Sequence, residues 1–379
     1  MKYCKNCLET NTRPKSKFDK NGFCKACVNY KIKKNKYNQI DKIRLIKNVI
    51  KKYPKKKSSF YDCVVGVSGG KDSLRQALWI RDKLGLKPLL VCGSYPPEQI
   101  TKIGADNLSN IINQGFDLIV SAPGPKTWKK ILKKGFVQGN YLRGPELLLY
   151  SSVPQIAIKY NINLIFWGEN PADNWNDSGV KTKNEFDGNS LRNLNTLKDC
   201  KLDWMKECIS SNTNLIPYTY PSVSEFKKNK IQIIFLGTFW RNWSIESNAS
   251  FSITHGLKIR TDNVKNTGDL YGVMALDDNW LSINQMIKYY KYGFGRVSEY
   301  LNYEIREGKT NRRDAIKVAE KYDGACSETY INNFCKYLDI SKDEFNKILS
   351  GFVNKDLFTI SNSETGKKYI RKFQVGKGI

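Results

Sequence analysis

A short apolar run that ends in paired glycines places the strongest constraint on the fold of this chain. The run from Cys63 to Val67 has the length and β-branched content of a buried strand. Beyond it, apolar residues at helical spacing predict a helix that ends at Gly85: Leu74, Ala77, Leu78 and Leu84. The stretch Ser68 to Ser73, SGGKDS, is therefore a strand-to-helix turn. Glycines let the backbone approach a ligand closely, and a helix start attracts anions, so this turn is predicted to bind phosphate.

The turn is not a Walker A loop, because that pattern, counted from Gly66, needs glycine and lysine where Lys71 and Asp72 stand. It resembles the PP-loop of ATP pyrophosphatases, which cleave ATP between the α and β phosphates and adenylate a carbonyl oxygen. The resemblance implies that pyrophosphate is held by Ser68, Gly69, Gly70, Asp72 and Ser73, with Lys71 adding charge. The alternative is a connection whose glycines serve only the turn.

Composition narrows the class of protein. None of the 379 residues falls in an apolar stretch long enough to span a bilayer, and the N-terminus lacks the apolar region of a signal peptide. A cytoplasmic protein is expected. The net charge of +27 fits two interpretations, a solvated basic surface or attraction to anionic nucleotides and phosphorylated substrates.

Four of the ten cysteines form two CxxC pairs near the N-terminus, Cys4 with Cys7 and Cys24 with Cys27. Two such knuckles complete a tetrahedral sulfur shell suited to Zn²⁺, and four thiolates leave the metal no open position, so a structural zinc ribbon is predicted. The alternatives are disulfides, which a cytoplasmic chain disfavours, and an iron–sulfur cluster.

Alternation of strands and helices predicts the central fold. Strands are expected at residues 63–67, 88–92, 116–120, 162–167 and 231–237, with helices at 100–114 and 153–160 between them. This order indicates an α/β fold with a doubly wound parallel sheet. Ligands bind beyond the carboxyl ends of such strands, which places Gly93 and the segment from Gly168 to Asn170 beside the phosphate turn.

Candidate substrate residues lie on these loops and further along the chain. Glu169 is predicted to hold Mg²⁺ or orient substrate, because an adenylation site must neutralise polyphosphate; a solvated loop carboxylate is the alternative. Arg143 begins a predicted tight turn, Arg143 to Glu146, and suits a phosphate or carboxylate. The segment Tyr292 to Arg296 contains a GxG, which is either a phosphate site or an interhelical turn.

Four regions follow from these patterns. Residues 1–30 are the zinc-ribbon segment, 31–57 a basic helical connector, 58–280 the ATP pyrophosphatase domain, and 281–379 a C-terminal region predicted to be helical to its end. Residues 175–214 are polar and Asn-rich and are expected to form an insertion over the site.

Several stretches together resemble the N-acetyl sugar amidotransferase family, of the WbpG and PseA type, within the PP-loop ATP pyrophosphatase superfamily. They are the cysteine pairs with Thr12-Arg13-Pro14 between them, SGGKDS, the segment Phe166 to Pro171 (FWGENP), and the segment Lys291 to Arg296 (KYGFGR). The resemblance implies the adenine-nucleotide alpha-hydrolase type of fold. It also implies conversion of the N-acetyl group of a nucleotide-linked or related sugar into an acetamidino group, with ATP and ammonia, for surface polysaccharides such as lipopolysaccharide O-antigen.

The resemblance also implies roles for individual residues and partners. Lys71, Asp72, Glu169 and Asn170 would serve catalysis, Gly93 the nucleotide, Arg143 and Arg296 the substrate, with ATP, Mg²⁺ and Zn²⁺ as cofactors. The only histidine, His255, has no cysteine near it in sequence, so this chain is expected to take ammonia from separate subunits similar to the glutaminase and cyclase of imidazole-glycerol-phosphate synthase.

Two other functions remain open from the sequence. A tRNA thiolase also combines zinc knuckles, a PP-loop and a basic surface, but would need a reactive cysteine near the loop. None of the other cysteines is paired as CxxC: Cys63, Cys92, Cys200, Cys208, Cys326 and Cys335. The third possibility, a zinc-bearing nucleotide-binding adaptor, is disfavoured by the intact SGGKDS.

Overall fold

The computed structural model describes residues 1–36, 42–171, 186–240, 243–363 and 366–379. Its centre is a five-stranded sheet with strands β1 (Cys63–Gly66), β2 (Pro88–Gly93), β3 (Leu118–Ser121), β4 (Leu164–Trp167) and β5 (Gln232–Phe235). The spatial order is β3-β2-β1-β4-β5, and all neighbours run parallel. Strand order reverses between β1 and β4, where such sheets open a crevice at their carboxyl ends. The predicted doubly wound α/β fold is confirmed.

Six helices precede β4 along the described chain. They are α1 (Lys25–Lys36), α2 (Lys42–Ile50), α3 (Lys71–Leu84), α4 (Lys102–Asn113), α5 (Pro125–Val137) and α6 (Arg143–Lys159). Side chains alternate across each strand, so Cys63 and Val65 pack with α2, α3 and α4 while Val64 packs with α5 and α6. The predicted C-cap is confirmed, since Gly85 ends α3 in the left-handed conformation with φ of 68°. Within the predicted helical connector, α2 buries Ile46 and Val49, and residues 37–41, including Ile40, lie outside the described residues.

The tight turn predicted at Arg143 to Glu146 is wrong, because these residues form the first turn of α6. A proline is tolerated there, since the first N–H groups of a helix have no partner within it. Helix α5 was not predicted, although Trp128, Ile131, Leu132 and Phe136 follow a helical spacing and are buried. The two helices together cover one face of the sheet.

Between β4 and β5, residues 172–185 lie outside the described residues, and they include the first part of the predicted insertion, residues 175–185. The rest of the insertion forms short turns and α7 (Asp203–Lys206), and α8 (Val223–Asn229) follows it before β5. The described part of the insertion buries Leu191, Leu197 and Trp204 in the same core as α6. This part of the segment is therefore packed into the domain.

The C-terminal half continues with α9 (Ile245–Thr254), α10 (Val264–Thr267), α11 (Leu281–Tyr292), α12 (Arg296–Glu307), α13 (Arg312–Tyr322), α14 (Glu328–Leu338) and α15 (Lys342–Phe352). The prediction of helix to the end is wrong, because strands β6 (Phe358–Ser363) and β7 (Gly366–Arg371) form an antiparallel hairpin. Phe358 and Phe373 bury this hairpin against α12 and α13. Among the described helices, none combines the length and apolarity needed to cross a membrane. The region boundaries at residues 30, 57 and 280 stay predictions.

Candidate functional site

The phosphate turn has the backbone geometry that anion binding requires. Gly69 has a φ of 83°, and a Cβ there would lie 3.1 Å from the backbone nitrogen of Leu108, so both conformation and space require glycine. Gly70 begins α3 in an extended conformation, and no side chain caps the helix. The first N–H groups of a 14-residue helix therefore point to the carboxyl edge of the sheet, where they suit an anion.

The side chains of Ser68 and Ser73 accept long, weak hydrogen bonds from backbone N–H groups of this turn. The backbone nitrogen of Ser68 donates to Ser73 Oγ at 3.4 Å, and that of Gly70 donates to Ser68 Oγ at 3.5 Å. Ser73 Oγ in turn donates to the Gly70 carbonyl at 3.0 Å. Bonds near 3.5 Å are at the weak end of the range, so phosphate oxygens can replace the hydroxyl acceptors.

Lys71 and Asp72 form an ion pair at the start of α3. Lys71 Nζ lies 2.6 Å from Asp72 Oδ2 and 2.9 Å from Met274 Sδ, and its side chain is 3% exposed. The Asp72 side chain keeps 33% of its surface exposed, so its carboxylate remains reachable from the crevice. The pair thus combines a buried positive charge with an accessible negative one.

Helix α9 fixes both residues from the side. Asn248 is buried, donates from Nδ2 to Asp72 Oδ1 at 2.5 Å, and accepts a bond of 2.5 Å from Arg75. Ser252 Oγ donates to the Lys71 carbonyl at 2.6 Å. Sequence reasoning missed Asn248, because it lies 176 residues from Asp72 in no recognisable motif.

A cleft opens beside this pair at the point where strand order reverses. Lys71 and Asp72 follow β1 and Glu169 follows β4, and all three line it, together with Trp243, Ser244, Ile245, Asn248, Met274 and Tyr303. Asn170 is buried next to Glu169. The structure thus brings Lys71, Asp72 and Glu169 together. Two carboxylates in one cleft are a suitable ligand set for Mg²⁺.

The segment from Gly268 to Trp280, here called the covering loop, places Met274 against Lys71. Its centre is buried Asp269, which accepts bonds from the backbone nitrogens of Tyr271 at 3.2 Å and Met274 at 2.9 Å. Tyr300 of α12 donates to the same carboxylate at 3.3 Å. Sequence reasoning also missed this loop, since its function depends on contacts that only the fold creates.

Three further predicted residues lie outside the described lining of the cleft. A Cβ on Gly93, at the end of β2, would lie 2.9 Å from Leu149 Cα, so helix packing alone explains this glycine. Arg143 is 8% exposed, and its guanidinium lies 4.5 Å from the ring centre of Trp204, where burial lowers its pKa. Arg296 is 7% exposed in the first turn of α12. Burial and Asp269 raise the pKa of Tyr300, and the Arg296 charge opposes this.

The glycine-containing segment before Arg296 is an interhelical turn. Gly293 ends α11 with a φ of 77°. Asp323 then occupies the start of α12, where it accepts bonds from the backbone nitrogens of Gly295 at 2.9 Å and Val297 at 3.1 Å, and from Ser298 Oγ at 2.5 Å. This carboxylate fills the position that a phosphate would need.

The four N-terminal cysteines form a compact, buried set that could hold a metal ion. All four Sγ atoms lie within 4.8 Å of one another, with separations of 4.0 Å for Cys4–Cys27, 3.8 Å for Cys7–Cys24 and 3.5 Å for Cys7–Cys27. A tetrahedral ion with bonds of about 2.3 Å separates its sulfurs by roughly 3.8 Å. The cysteines are free thiols, so the disulfide alternative is wrong. The spacing fits one ion, since a four-iron cluster would hold the thiolates farther apart.

Neighbouring groups compensate the charge that a metal-bound sulfur set carries. Asn6 Nδ2 donates to Cys27 Sγ at 3.3 Å, and the Cys24 backbone nitrogen donates to Cys4 Sγ at 3.2 Å. Burial lowers the pKa of Arg306, but the Cys7, Cys27 and Cys24 thiolates outweigh this and raise it overall. These contacts are the hydrogen-bonded surroundings typical of metal-bound thiolates.

The remaining cysteines and His255 have no features of nucleophiles. Burial raises the pKa of every other cysteine: Cys63, Cys92, Cys200, Cys208, Cys326 and Cys335. His255 stacks on Phe251 with ring centres 4.1 Å apart, and its Nδ1 is 2.7 Å from the Phe251 carbonyl oxygen. It therefore packs at the end of α9.

Comparisons with known proteins add one family match. Residues 265–374 match the model of the LPS biosynthesis protein WbpG-like C-terminal domain, which confirms the family resemblance. A search of curated proteins gives no significant match. Among solved structures, the U34-tRNA thiolase NcsA from Methanococcus maripaludis, with its [4Fe-4S] cluster, shares 10% identity and a TM-score of 0.26, over 78% of this chain and 87% of that one. A TM-score this low supports no conclusion. The family match includes the covering loop from Gly268 onward, Arg296 and Asp323, and it fits a role in lipopolysaccharide biosynthesis.

Proposed function

Because residues 265–374 match the model of the WbpG-like C-terminal domain of lipopolysaccharide biosynthesis proteins, we propose that this chain is an AMP-forming N-acetyl sugar amidotransferase. The observation that carries the proposal is the meeting of Lys71, Asp72 and Glu169 in one cleft beside an uncapped phosphate turn. An enzyme that adenylates an amide needs both features, one for the departing pyrophosphate and one for the charge that develops during transfer.

The reaction proceeds in two displacements. The N-acetyl carbonyl oxygen attacks the α-phosphorus of ATP, and pyrophosphate leaves with the bonding electrons. Ammonia then adds to the activated carbon, and loss of AMP and a proton leaves the acetamidino group. Adenylation is required because an amide is a poor electrophile, and the protein's contribution is positioning and charge neutralisation.

The residues divide between the two substrates of the first step. Ser68, Gly69, Gly70 and Ser73 would hold pyrophosphate, with Lys71 beside it, while Asp72 and Glu169 would hold Mg²⁺ on the polyphosphate. Asn170 follows Glu169 and would orient the acceptor. The bound Mg²⁺ would neutralise charge on the leaving group.

Arg143 and Arg296 are the proposed contacts for the nucleotide-linked part of the acceptor. Both are more than nine-tenths buried, and within the described chain neither makes an ion pair. Arg143 Nε and Trp204 Nε1 are also buried without hydrogen-bond partners there. Burying an unpaired guanidinium is costly, so an anionic group such as a phosphate would stabilise it.

Product analysis tests the proposal directly. With ATP, ammonium and N-acetylated nucleotide sugars, we expect AMP, pyrophosphate and a product about one mass unit lighter that carries a basic amidine. Asp72→Ala should abolish turnover, and Asp82→Ala, an exposed acid on the same helix, should not. ADP and phosphate as the main products would exclude the mechanism.

Ammonia is proposed to come from separate glutaminase and cyclase-like subunits in the cytoplasm. No described cysteine lies in an environment that favours a thiolate nucleophile, apart from the proposed zinc ligands, and His255 serves packing. The isolated chain should use ammonium salts at mildly alkaline pH and not glutamine. Robust glutamine-dependent turnover by this chain alone would contradict the assignment.

The tRNA thiolase alternative is disfavoured by the same cysteines. Sulfur transfer needs an accessible thiolate near the PP-loop, whereas Cys63 and Cys92 are buried in the sheet. We propose zinc at the four-cysteine site, in a structural role, because the sulfur separations fit a single tetrahedral ion.

A further inference from the structure

Helix α12 contacts the four-cysteine segment along one stripe and the active-site cleft along another. Glu299, Asn302 and Arg306 follow each other at helical spacing, and Arg296, Tyr300 and Tyr303 form a second stripe roughly a quarter turn away. A single rigid helix therefore borders both sites, which lie in different parts of the sequence.

The first stripe binds the N-terminal segment through specific hydrogen bonds. The Leu8 backbone nitrogen donates to Asn302 Oδ1 at 2.6 Å, and Asn302 is 3% exposed. Arg13 donates to Glu299 at 2.8 Å, and Lys288 lies 2.7 Å from the other oxygen of that carboxylate. Leu8 directly follows the metal-site residue Cys7, so its position depends on the knuckle being closed.

The second stripe reaches both charged residues of the phosphate turn. Tyr300 donates to Asp269, which holds the Met274 nitrogen, and Met274 contacts Lys71. Tyr303 donates to the Trp243 carbonyl at the entry to α9, where Asn248 holds Asp72. The first route runs through direct contacts, and the second continues from Trp243 along the start of α9, where the Asn248 nitrogen donates to the Ser244 carbonyl at 2.9 Å.

We propose that Tyr300 and Tyr303 are positioning residues for the phosphate turn, and that the four-cysteine metal centre keeps them in place through α12. The metal site is then more than a local support for residues 1–30. It sets the position of the covering loop and of α9, and through them the orientation of Lys71 and Asp72. The proposal rests on the proposed function only in taking the phosphate turn as the ATP site.

Hydrogen exchange and nucleotide binding test this coupling in the full chain. Removing the metal with a chelator should speed exchange in residues 296–307 and also in residues 268–276 and 243–248, and should weaken ATP binding about tenfold, the loss of roughly one hydrogen bond. The sheet strands should stay protected. Faster exchange confined to residues 1–30, with unchanged ATP affinity, would overturn the proposal.

Variants separate positioning from general loss of structure. Tyr303→Phe keeps the ring and removes the bond to Trp243, so it should retain one metal per chain yet raise the KM for ATP about tenfold. Metal removal should raise the KM for ATP less in the Tyr303→Phe variant than in the original chain, because both changes act through the same contact. Full additivity would contradict the route through α12.

If the chain unfolds when the metal is removed, Asn302→Ala tests the coupling through α12 in the metal-loaded protein. It should speed exchange in residues 268–276 while the metal stays bound, and Arg313→Gln, an exposed charge on the next helix, should not. An Asn302→Ala protein with unchanged exchange in that loop would refute the coupling. If the metal-loaded chain does not bind ATP, the proposed function is wrong. Hydrogen exchange in the covering loop would still test the coupling between the metal site and the phosphate turn.

Discussion

Asn248 shows how much of this site depends on a single uncharged side chain. Its amide donates to Asp72 and accepts from Arg75, so it fixes the carboxylate and is itself oriented by a cation. An amide can serve both neighbours at once because it carries a donor and an acceptor group. Lys71 is the second group that holds Asp72, through its ion pair with the other carboxylate oxygen.

Asn248→Ala should therefore impair ATP use more than stability. Loss of a hydrogen bond to a charged group costs about 1.5–3 kcal/mol, so kcat/KM for ATP should fall by roughly tenfold or more. Pyrophosphate release measures this. Glu246→Gln, an exposed residue on the same helix, is the control and should stay close to the unchanged chain. Equal effects in the two variants would show that Asn248 does not position Asp72.

Asp277 gives the covering loop a pH-dependent stability. Burial raises the pKa of Asp277 to about 7, and the adjacent charge of Asp278 adds to this. The folded chain therefore holds a proton that the unfolded chain loses near pH 4, so stability declines as pH rises from about 4 to 7. Asp277→Asn cannot ionise. Its free energy of unfolding, relative to the original chain, should increase across this window in denaturant titrations.

The control for this prediction has the opposite sign. Hydrogen bonds from Lys258 and Lys102 lower the pKa of half-buried Asp106, so Asp106→Asn should lose relative stability at pH values above the ordinary pKa of aspartate. A flat difference between Asp277→Asn and the original chain from pH 4 to 7 would contradict the role of Asp277.

At the scale of elements, the sequence predicts the strands and helices that are marked by residues within the element itself. The phosphate turn, its strand and its helix were predicted because apolar spacing, paired glycines and a C-cap all agree within residues 63–85. The start of α6 was misjudged because glycine and proline in Arg143 to Glu146 are typical of turns. Their close packing against Ile131 and Trp204 depends on the fold and is not visible in the local sequence.

The residues of the candidate site likewise fall into those that the sequence predicts and those that it does not. Lys71, Asp72 and Glu169 were predictable, since motifs place them at strand ends that a parallel sheet brings together. Asn248, Asp269 and Tyr303 were not, because each acts through a partner far away in sequence. No local pattern encodes such contacts.

The turn between α11 and α12 supplies a test of packing at the element scale. A Cβ on Gly295 would lie 2.6 Å from Asp323 Oδ1, so Gly295→Ala must displace the carboxylate that caps α12 and should destabilise the chain by about 1–3 kcal/mol. Gly351 lies in α15 with no atom within 4 Å of its Cβ position, so Gly351→Ala should stabilise by roughly 0.5–1 kcal/mol. Denaturant unfolding measures both, and effects of the same sign would contradict this assignment.

At the scale of the whole molecule, the N-terminal segment packs against the C-terminal helices. Leu8 is buried in one core with Val297, Leu301 and Phe373, and Arg312 donates to the carbonyls of Cys4 and Cys7. A segment so short cannot form a core of its own, so closure of the proposed metal site would also support the core that it shares with α12 and α13.

Loss of a metal ligand should therefore destabilise more than the N-terminal segment. Cys24→Ser removes one of four thiolates, and the free energy of metal binding, which is also folding energy, is then lost to the core around Leu8. We expect calorimetry to show the transition of the C-terminal helices lowered, with metal analysis falling from one zinc per chain towards none. Cys208→Ser, a half-buried cysteine outside the metal set, should keep its zinc and shift the transition little. If Cys24→Ser loses its metal while the C-terminal helices unfold as before, the N-terminal segment is a separate unit and the shared core contributes no stability. Iron in place of zinc would instead contradict the zinc assignment.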